Sequence, residues 1–234
     1  MDNRLVLLTA LLVTLSWMSA GTYAQSVTRI NRTDCGTGQL CADEPSACDP
    51  STGGECFFLA AKKGRGNNFD FELSGQSDGY IAATLSLDGT LGNGDKTYVC
   101  ANDNGDVRFF GAVYNNSQLT LSPLEVNSVK GKITGRKIQC TFTASVPVPT
   151  TRANSITVGI SSGTYKSSTA ALGAPKEQYK SPPVDLGNPN ATVTNQLSTS
   201  TTTKPTTTNH AITIQHSLTQ ALLIIVGVLG LNVL

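Results

Sequence analysis

The stretch "LDGTLGNGDKTYVC", Leu87 to Cys100, gathers the residue types that hold cations or make sharp turns. Asp88, Asn93 and Asp95 offer oxygen donors among closely spaced glycines. A calcium loop needs acidic or amide ligands at alternating positions and a late glutamate. Asp88, Thr90 and Gly92 do not give that spacing, and neither do Asp103 and Asp106, so the stretch reads as the connection between two strands. Asp70 and Glu72 share the polar side of an alternating run, which is the pattern of a strand's wet face. No G-x-S-x-G, P-loop or zinc-protease pattern occurs. Histidine is confined to His210 and His216, and methionine to Met1 and Met18. The middle of the chain therefore lacks the imidazole that Ser-His-acid and Cys-His machinery requires. The expectation is a protein that is not an enzyme and that carries no cofactor.

Six cysteines lie in the same region: Cys35, Cys41, Cys48, Cys56, Cys100 and Cys140. Their early spacings of six, seven and eight residues do not resemble paired C-x2-C zinc ligands. An even number in a secreted chain implies disulfides, whose connectivity the sequence does not choose. The first four fall in a loop-rich stretch with Pro45, Pro50, Gly53 and Gly54, and are expected to staple it internally. Cys100 and Cys140 sit in the strand-like runs "TYVC" and "KIQCTF" and are expected to pair with each other.

The elements that must position these residues are strands. "NNFDFELSG" alternates Phe69, Phe71 and Leu73 with Asn68, Asp70 and Glu72, a period of two. "GYIAATLSLDG" continues with Ile81, Ala83, Leu85 and Leu87 on one face. "KTYVCAN" and "DVRFFGAVYNN" flank "NDNG", and Asn-Gly between apolar runs signals a hairpin whose two central residues take positive φ. "KIQCTFTASV" and "NSITVGISSG" add two more strands, and no sustained 3.6-residue repeat appears between Cys35 and Ser161. Short strands separated by turns indicate an all-β protein, an antiparallel Ig-like β-sandwich.

The two ends carry different patterns. Arg4, the apolar run Leu5 to Trp17 and the small residues Thr22 and Ala24 read as a signal peptide over residues 1–24, cleaved after Ala24. The run is shorter than the roughly 20 apolar residues of a membrane span. Residues 188–209, including "LSTSTTTKPTTTN", have too little apolar surface to offset ordering entropy and read as a disordered Ser/Thr/Pro stalk suited to O-glycosylation. Residues 210–234 end in "LTQALLIIVGVLGLNVL" and read as a GPI-anchor signal, with Asn209 as the attachment site and Ser217 and Ser200 as weaker options; the competing reading is a single membrane-spanning tail. These signals place the protein in the secretory pathway and at the outer leaflet of the plasma membrane. Asn31, Asn115 and Asn190 open N-x-S/T sequons, expected glycosylation marks on a secreted chain. The net charge of +1, with no basic stripe, argues against a nucleic-acid partner.

"CGTGQLCADEPSACDPSTGGECFFLAA", "ELSGQSDGYIAATLSLDGTLGNGDKTYVC" and "IQCTFT" together resemble the DOMON domain of the ferric-chelate reductase-like family. The resemblance covers residues 35–187. It implies an extracellular β-sandwich of a class that binds haem or sugars or serves as an interaction module. It also implies a test for haem, because haem-bearing members hold iron with a methionine and a histidine. In reductase-like relatives a methionine precedes the glycine of the turn that corresponds to "GNGD"; here that place is Leu91, which offers iron no lone pair. Tyr80 and Tyr98 are other conceivable iron ligands, but read more simply as packed strand residues.

The leading expectation is a tethered extracellular module that binds a partner protein, a glycan or a small ligand without redox activity of its own. The competing one is a haem-binding redox protein that works with a separate membrane partner. If a ligand site exists, the loops at the ends of the sandwich should form it. Asp78, Gly79, Asp88, Gly92, Asn93 and Asp95 are then candidates for one rim, against the reading that they only make turns.

Overall fold

The computed structural model describes residues 22–27, 29–147 and 155–198. In chain order the strands are β1 (Thr22–Tyr23), β2 (Gln25–Ser26), β3 (Leu40–Glu44), β4 (Phe57–Lys63), β5 (Asn68–Gln76), β6 (Tyr80–Ser86), β7 (Asn93–Asp103) and β8 (Asp106–Asn115). They continue with β9 (Gln118–Leu121), β10 (Val126–Thr134), β11 (Lys137–Ser145), β12 (Ser155–Gly163), β13 (Tyr165–Lys166), β14 (Ala171–Leu172), β15 (Lys176–Lys180) and β16 (Val184–Asp185). One sheet runs β1-β8-β7-β6-β12-β15, with β9 on β8 and β16 on β12; the other runs β2-β10-β11-β5-β4-β3. Except for β2 on β10, the pairs between these strands are antiparallel. The result is the expected all-β sandwich.

Alternation decides what fills the space between the sheets. Phe69, Phe71 and Leu73 of β5 face Ile81, Ala83 and Leu85 of β6 across one buried cluster that also takes in Tyr98, Phe109 and Phe142. Tyr98 stacks on Phe142 at 4.9 Å between ring centroids, and Phe71 stacks on the same ring at 5.2 Å. Leu87 does not continue this face as the pattern suggested. It lies past the end of β6 and is 49% exposed, because the chain turns at Asp88 before another inward position is reached.

Parts of both outer faces are covered as well, which the strand pattern alone did not show. All seven residues of β6 are buried. Its outer side, with Tyr80 and Ala82, joins Val99, Ala101 and Phe110 under Tyr165 and Leu172 of the β13–β14 hairpin. On the other sheet, Phe58 and Ala60 of β4 pack under Ile30 and Cys56, with Cys35, Cys41 and Cys48 alongside. The cysteine-rich segment is thus a lid over one sheet, held by Cys35–Cys41 and Cys48–Cys56.

Cys100 and Cys140 form the third disulfide and tie β7 to β11 through the core. Gly131 stands opposite Cys140 in the β10–β11 ladder, where an added Cβ would lie 2.4 Å from Val107 Cβ. Only a glycine lets the sheets approach this closely beside the disulfide. The "NDNG" hairpin forms between β7 and β8, with Asn104 at φ 59° and Gly105 at φ 100°, as both central residues of such a turn require.

At the N-terminal end, Thr22 and Tyr23 pair with Phe109 and Arg108 of β8, while Gln25 and Ser26 pair with β10. The expected cleavage after Ala24 would remove β1 and the Ala24 N–H bond to the Val107 carbonyl from this edge. At the other end, residues 188–198, read as the start of the stalk, pack on the sandwich. Asn195, 9% exposed, donates from Nδ2 to Glu44 Oε2 and to the Gln178 carbonyl, and Gln196 N donates to the Lys180 carbonyl. Asn209, His210, His216, Met1, Met18 and the expected anchor signal at 210–234 lie outside the described residues, as do residues 1–21 of the expected signal peptide.

Candidate functional site

Ser86 ends β6 and Asn93 begins β7, so the connection runs from Leu87 to Gly92 and Asp95 already lies in β7. Its carboxylates point at its own backbone. Asp88 Oδ1 accepts from Ser86 Oγ at 2.8 Å and from Thr90 N at 2.8 Å, and its Oδ2 accepts from Asn93 Nδ2 at 2.7 Å. Asp95 is 6% exposed, and its Oδ2 accepts from Gly92 N at 2.7 Å and Asn93 N at 3.3 Å. Short polar side chains that bond the backbone two or three residues away are what close such turns. Gly92 takes φ 89°, a conformation that side chains resist.

The hydrogen bond from Asn93, with those from Thr90 and Ser86, holds the Asp88 carboxyl down at about 2. A carboxyl whose native value is depressed stabilises the fold above its ordinary value of 3.8 and loses that contribution as pH falls through about 2. Following the Asp88 carboxyl carbon by NMR from pH 6 to pH 1.5 should therefore show a midpoint well below 3.8, with Asn93 side-chain amide shifts moving in the same step. An ordinary midpoint would show that the turn is not organised by this carboxylate.

The six proposed rim residues do not meet. Gly92, Asn93, Asp88 and Asp95 share the turn after β6. Asp78 and Gly79 precede β6, and its seven residues separate the two groups by on the order of 20 Å. Asp78 accepts from Arg136 Nε at 2.8 Å on the surface. Gly79 is buried, its N–H donates to Ser77 Oγ at 3.1 Å, and its carbonyl accepts from Asn102 N at 2.7 Å.

Two concave surfaces stand out among the described residues. A cleft of about 270 Å³ lies between the exposed Leu87, Asn93–Lys96 and the Val146–Pro147 segment. A larger one, about 430 Å³, opens where the Pro50–Gly53 loop meets the outer faces of β10 and β11. Its walls carry Arg29, Lys132, Arg136 and Lys137, with Gln76 and Gln139 between them. Arg29 comes from the N-terminal segment and the other three from the β10–β11 hairpin, where Lys132, Arg136 and Lys137 fall within six residues; what the chain does not mark is their meeting with Arg29. Half the signal was present: in the β10–β11 hairpin Lys132 stands opposite Gln139, and Thr134 opposite Lys137, on the outward face.

The donors needed for haem iron are not here. The described residues contain neither histidine nor methionine, and all six cysteines are in disulfides. Leu91 folds onto β12, where an added Cβ on Gly159 would lie 2.7 Å from Leu91 Cδ1. Tyr98 is buried in the core, and Tyr80 donates its hydroxyl to the Gly173 carbonyl at 3.0 Å. Burial pushes the Tyr98 phenol up to about 12 and the Tyr80 phenol upward as well, which disfavours the phenolate that binds ferric iron. The residues present do not fit the group. No cluster of three or more acidic, histidine or cysteine side chains suited to a metal occurs among the described residues. Asn31, Asn115 and Asn190 are all exposed.

Comparison with known proteins points to one group. Over 123 residues the chain is 32% identical to the Xenopus laevis protein named "Putative ferric-chelate reductase 1", covering 52% of this chain and 20% of that protein. It is 28% identical over 123 residues to ferric-chelate reductase 1 of Mus musculus, covering 50% of this chain and 20% of that protein. The chain carries a domain related to theirs. It spans about a fifth of the length of these relatives. No family model matches it, and no solved structure matches it significantly. The three disulfides and this relationship fit an oxidising, extracellular compartment.

Proposed function

We propose that this is a DOMON-type sandwich, exported by its signal peptide and held at the cell surface by a GPI anchor on Asn209. In this reading it binds a partner protein, a glycan or a small ligand outside the cell and carries no electrons itself. The observation that supports it is the donor set: a domain without imidazole, thioether or free thiol, with Leu91 packed onto Gly159. Asn31, Asn115 and Asn190 would carry surface glycans, and the segment beyond Ser198 would hold the domain away from the bilayer. The relatives' name concerns electron transfer to ferric chelates, and the alternative for this chain is the same chemistry with haem and a separate membrane partner.

Absorption spectra of the purified protein titrated with haemin separate the two. The expected result is free-haem absorption at every ratio, with no reversible reduced spectrum. A stoichiometric Soret band that shifts on dithionite reduction would overturn the proposal. Release of the protein from intact cells by phosphatidylinositol-specific phospholipase C checks the anchor independently.

A further inference from the structure

We propose that the cleft walled by Arg29, Lys132, Arg136 and Lys137 is a binding site for acidic oligosaccharides, reading their sulfate or carboxylate groups. This rests on the reading of the domain as a binding module and names the ligand chemistry. The first support is the state of the cations. Arg29 Nη2 donates to the Ser51 carbonyl at 2.7 Å, and Lys137 Nζ donates to the carbonyls of Pro50, at 3.0 Å, and Thr52. Carbonyl dipoles fix where these heads sit without cancelling their charge. Lys132 is exposed, with no carboxylate within 4.0 Å among the described residues.

The acids nearby do not neutralise the set. Asp78 pairs with Arg136 through Nε. Asp49 lies within the field of Arg29 and Arg32, and Arg32 has its own partner in Asp43. Arg29, Lys132 and Lys137 therefore face one cleft with no carboxylate within 4.0 Å among the described residues, and Asp49 is a partial counter-charge to Arg29. Holding like charges together in this way lowers stability unless an anion arrives.

The second support is preorganisation. The carbonyls that grip Arg29 and Lys137 belong to the loop closed by Cys48–Cys56. The loop also receives Gln76 Nε2, which donates to the Gly54 carbonyl at 2.9 Å. The cationic heads are thus held by a stapled loop rather than left on free stems, which reduces the ordering entropy of binding.

The third support is shape and lining. About 430 Å³ lies within the range of small-ligand pockets, room for a sugar unit or two. Side-chain amides of Gln76 and Gln139 and the hydroxyls of Ser51, Thr52 and Thr134 line the same space. Those groups match sugar hydroxyls, while cations match the acidic substituents. A flat anionic membrane would instead be met by a protruding basic surface.

Isothermal titration of the full chain, purified from a secreting host, tests this with three probes. These are a heparin octasaccharide, a hyaluronan octasaccharide and phosphatidylserine vesicles. Binding of heparin alone assigns the site to sulfates, and binding of both glycans assigns it to carboxylates as well. Lys132→Glu should weaken glycan binding about tenfold or more, since it replaces one charge-assisted contact by a repulsion. Arg29→Gln should weaken it several-fold, and Lys166→Glu, on β13 over the other sheet, should leave it unchanged. Affinity should fall steeply as salt rises. Failure of both glycans to bind, binding to vesicles alone, or equal loss in Lys166→Glu would each overturn the proposal. The haemin titration is read separately, so failure of either proposal is distinguishable from failure of the other.

Discussion

Replacing Cys100 and Cys140 together with alanine is expected to lower the unfolding free energy by about 4 kcal/mol, the loop-closure value for a cross-link spanning 40 residues. The effect should exceed that of any other disulfide in the domain. Cys35–Cys41 and Cys48–Cys56 close loops with separations of only 6 and 8, for which the same relation gives about 2 kcal/mol each. Position adds to the contrast. Cys100 lies between Phe109 and Ile81 in register, and Cys140 between Leu73 and Gly131, so the bridge joins inner strands of both sheets. The short bridges lie in the lid over the second sheet. Urea unfolding of Cys100→Ala/Cys140→Ala beside Cys35→Ala/Cys41→Ala measures both. A smaller loss for the core pair than for the lid pair would refute the chain-entropy account.

The same contrast shows what the sequence made legible. Strand period and apolar content announced the inner faces of β5, β6 and β11, because one buried face leaves an alternating trace. The Cys100–Cys140 pairing followed from two cysteines sitting in such strands. The outer faces left no comparable trace. Tyr80, Ala82 and Val99 are buried by a hairpin some 70 to 90 residues further on, and Phe58 and Ala60 by a loop before them. Whether a strand has one covered face or two is settled by where distant loops fall, and composition does not carry that information.

The candidate site divides in the same way. Asp88 and Asp95 were legible as loop carboxylates, and their use was decided by local geometry: each accepts hydrogen bonds from its own turn. The basic cleft was not legible, since Arg29 and the β10–β11 cations are about a hundred residues apart in the chain and meet only through sheet topology. Charge counting along the chain finds the close trio Lys132, Arg136 and Lys137, but not the distant Arg29 and Pro50–Gly53 loop that turn it into a cleft. This is also why a net charge of +1 coexists with four cations around one cavity.

Gly79→Ala is expected to destabilise the domain by about 3 kcal/mol, at the upper end of what an added methyl in a packed site produces. An added Cβ would stand 2.3 Å from the Gly163 carbonyl oxygen, 2.5 Å from Tyr165 N and 2.7 Å from the Thr164 carbonyl carbon. All three are backbone atoms of one short run, so no side chain can swing aside. That run connects β12 to β13 and carries the cover of the outer face, including Tyr165 on Phe110 at 5.7 Å. Displacing it exposes Tyr80, Ala82 and Val99, and the loss should appear in urea unfolding together with faster hydrogen exchange at Ala82 and Val99. Asp78→Ala, one residue earlier, should change stability by less than about 1 kcal/mol, because its ion pair with Arg136 is on the surface. The "SDGYIA" motif is then fixed by close passage of two backbones at its glycine rather than by a ligand at its aspartate. The opposite pattern, a harmless Gly79→Ala and an Asp78→Ala that abolishes ligand binding in a stable protein, would assign the motif to ligand contact instead.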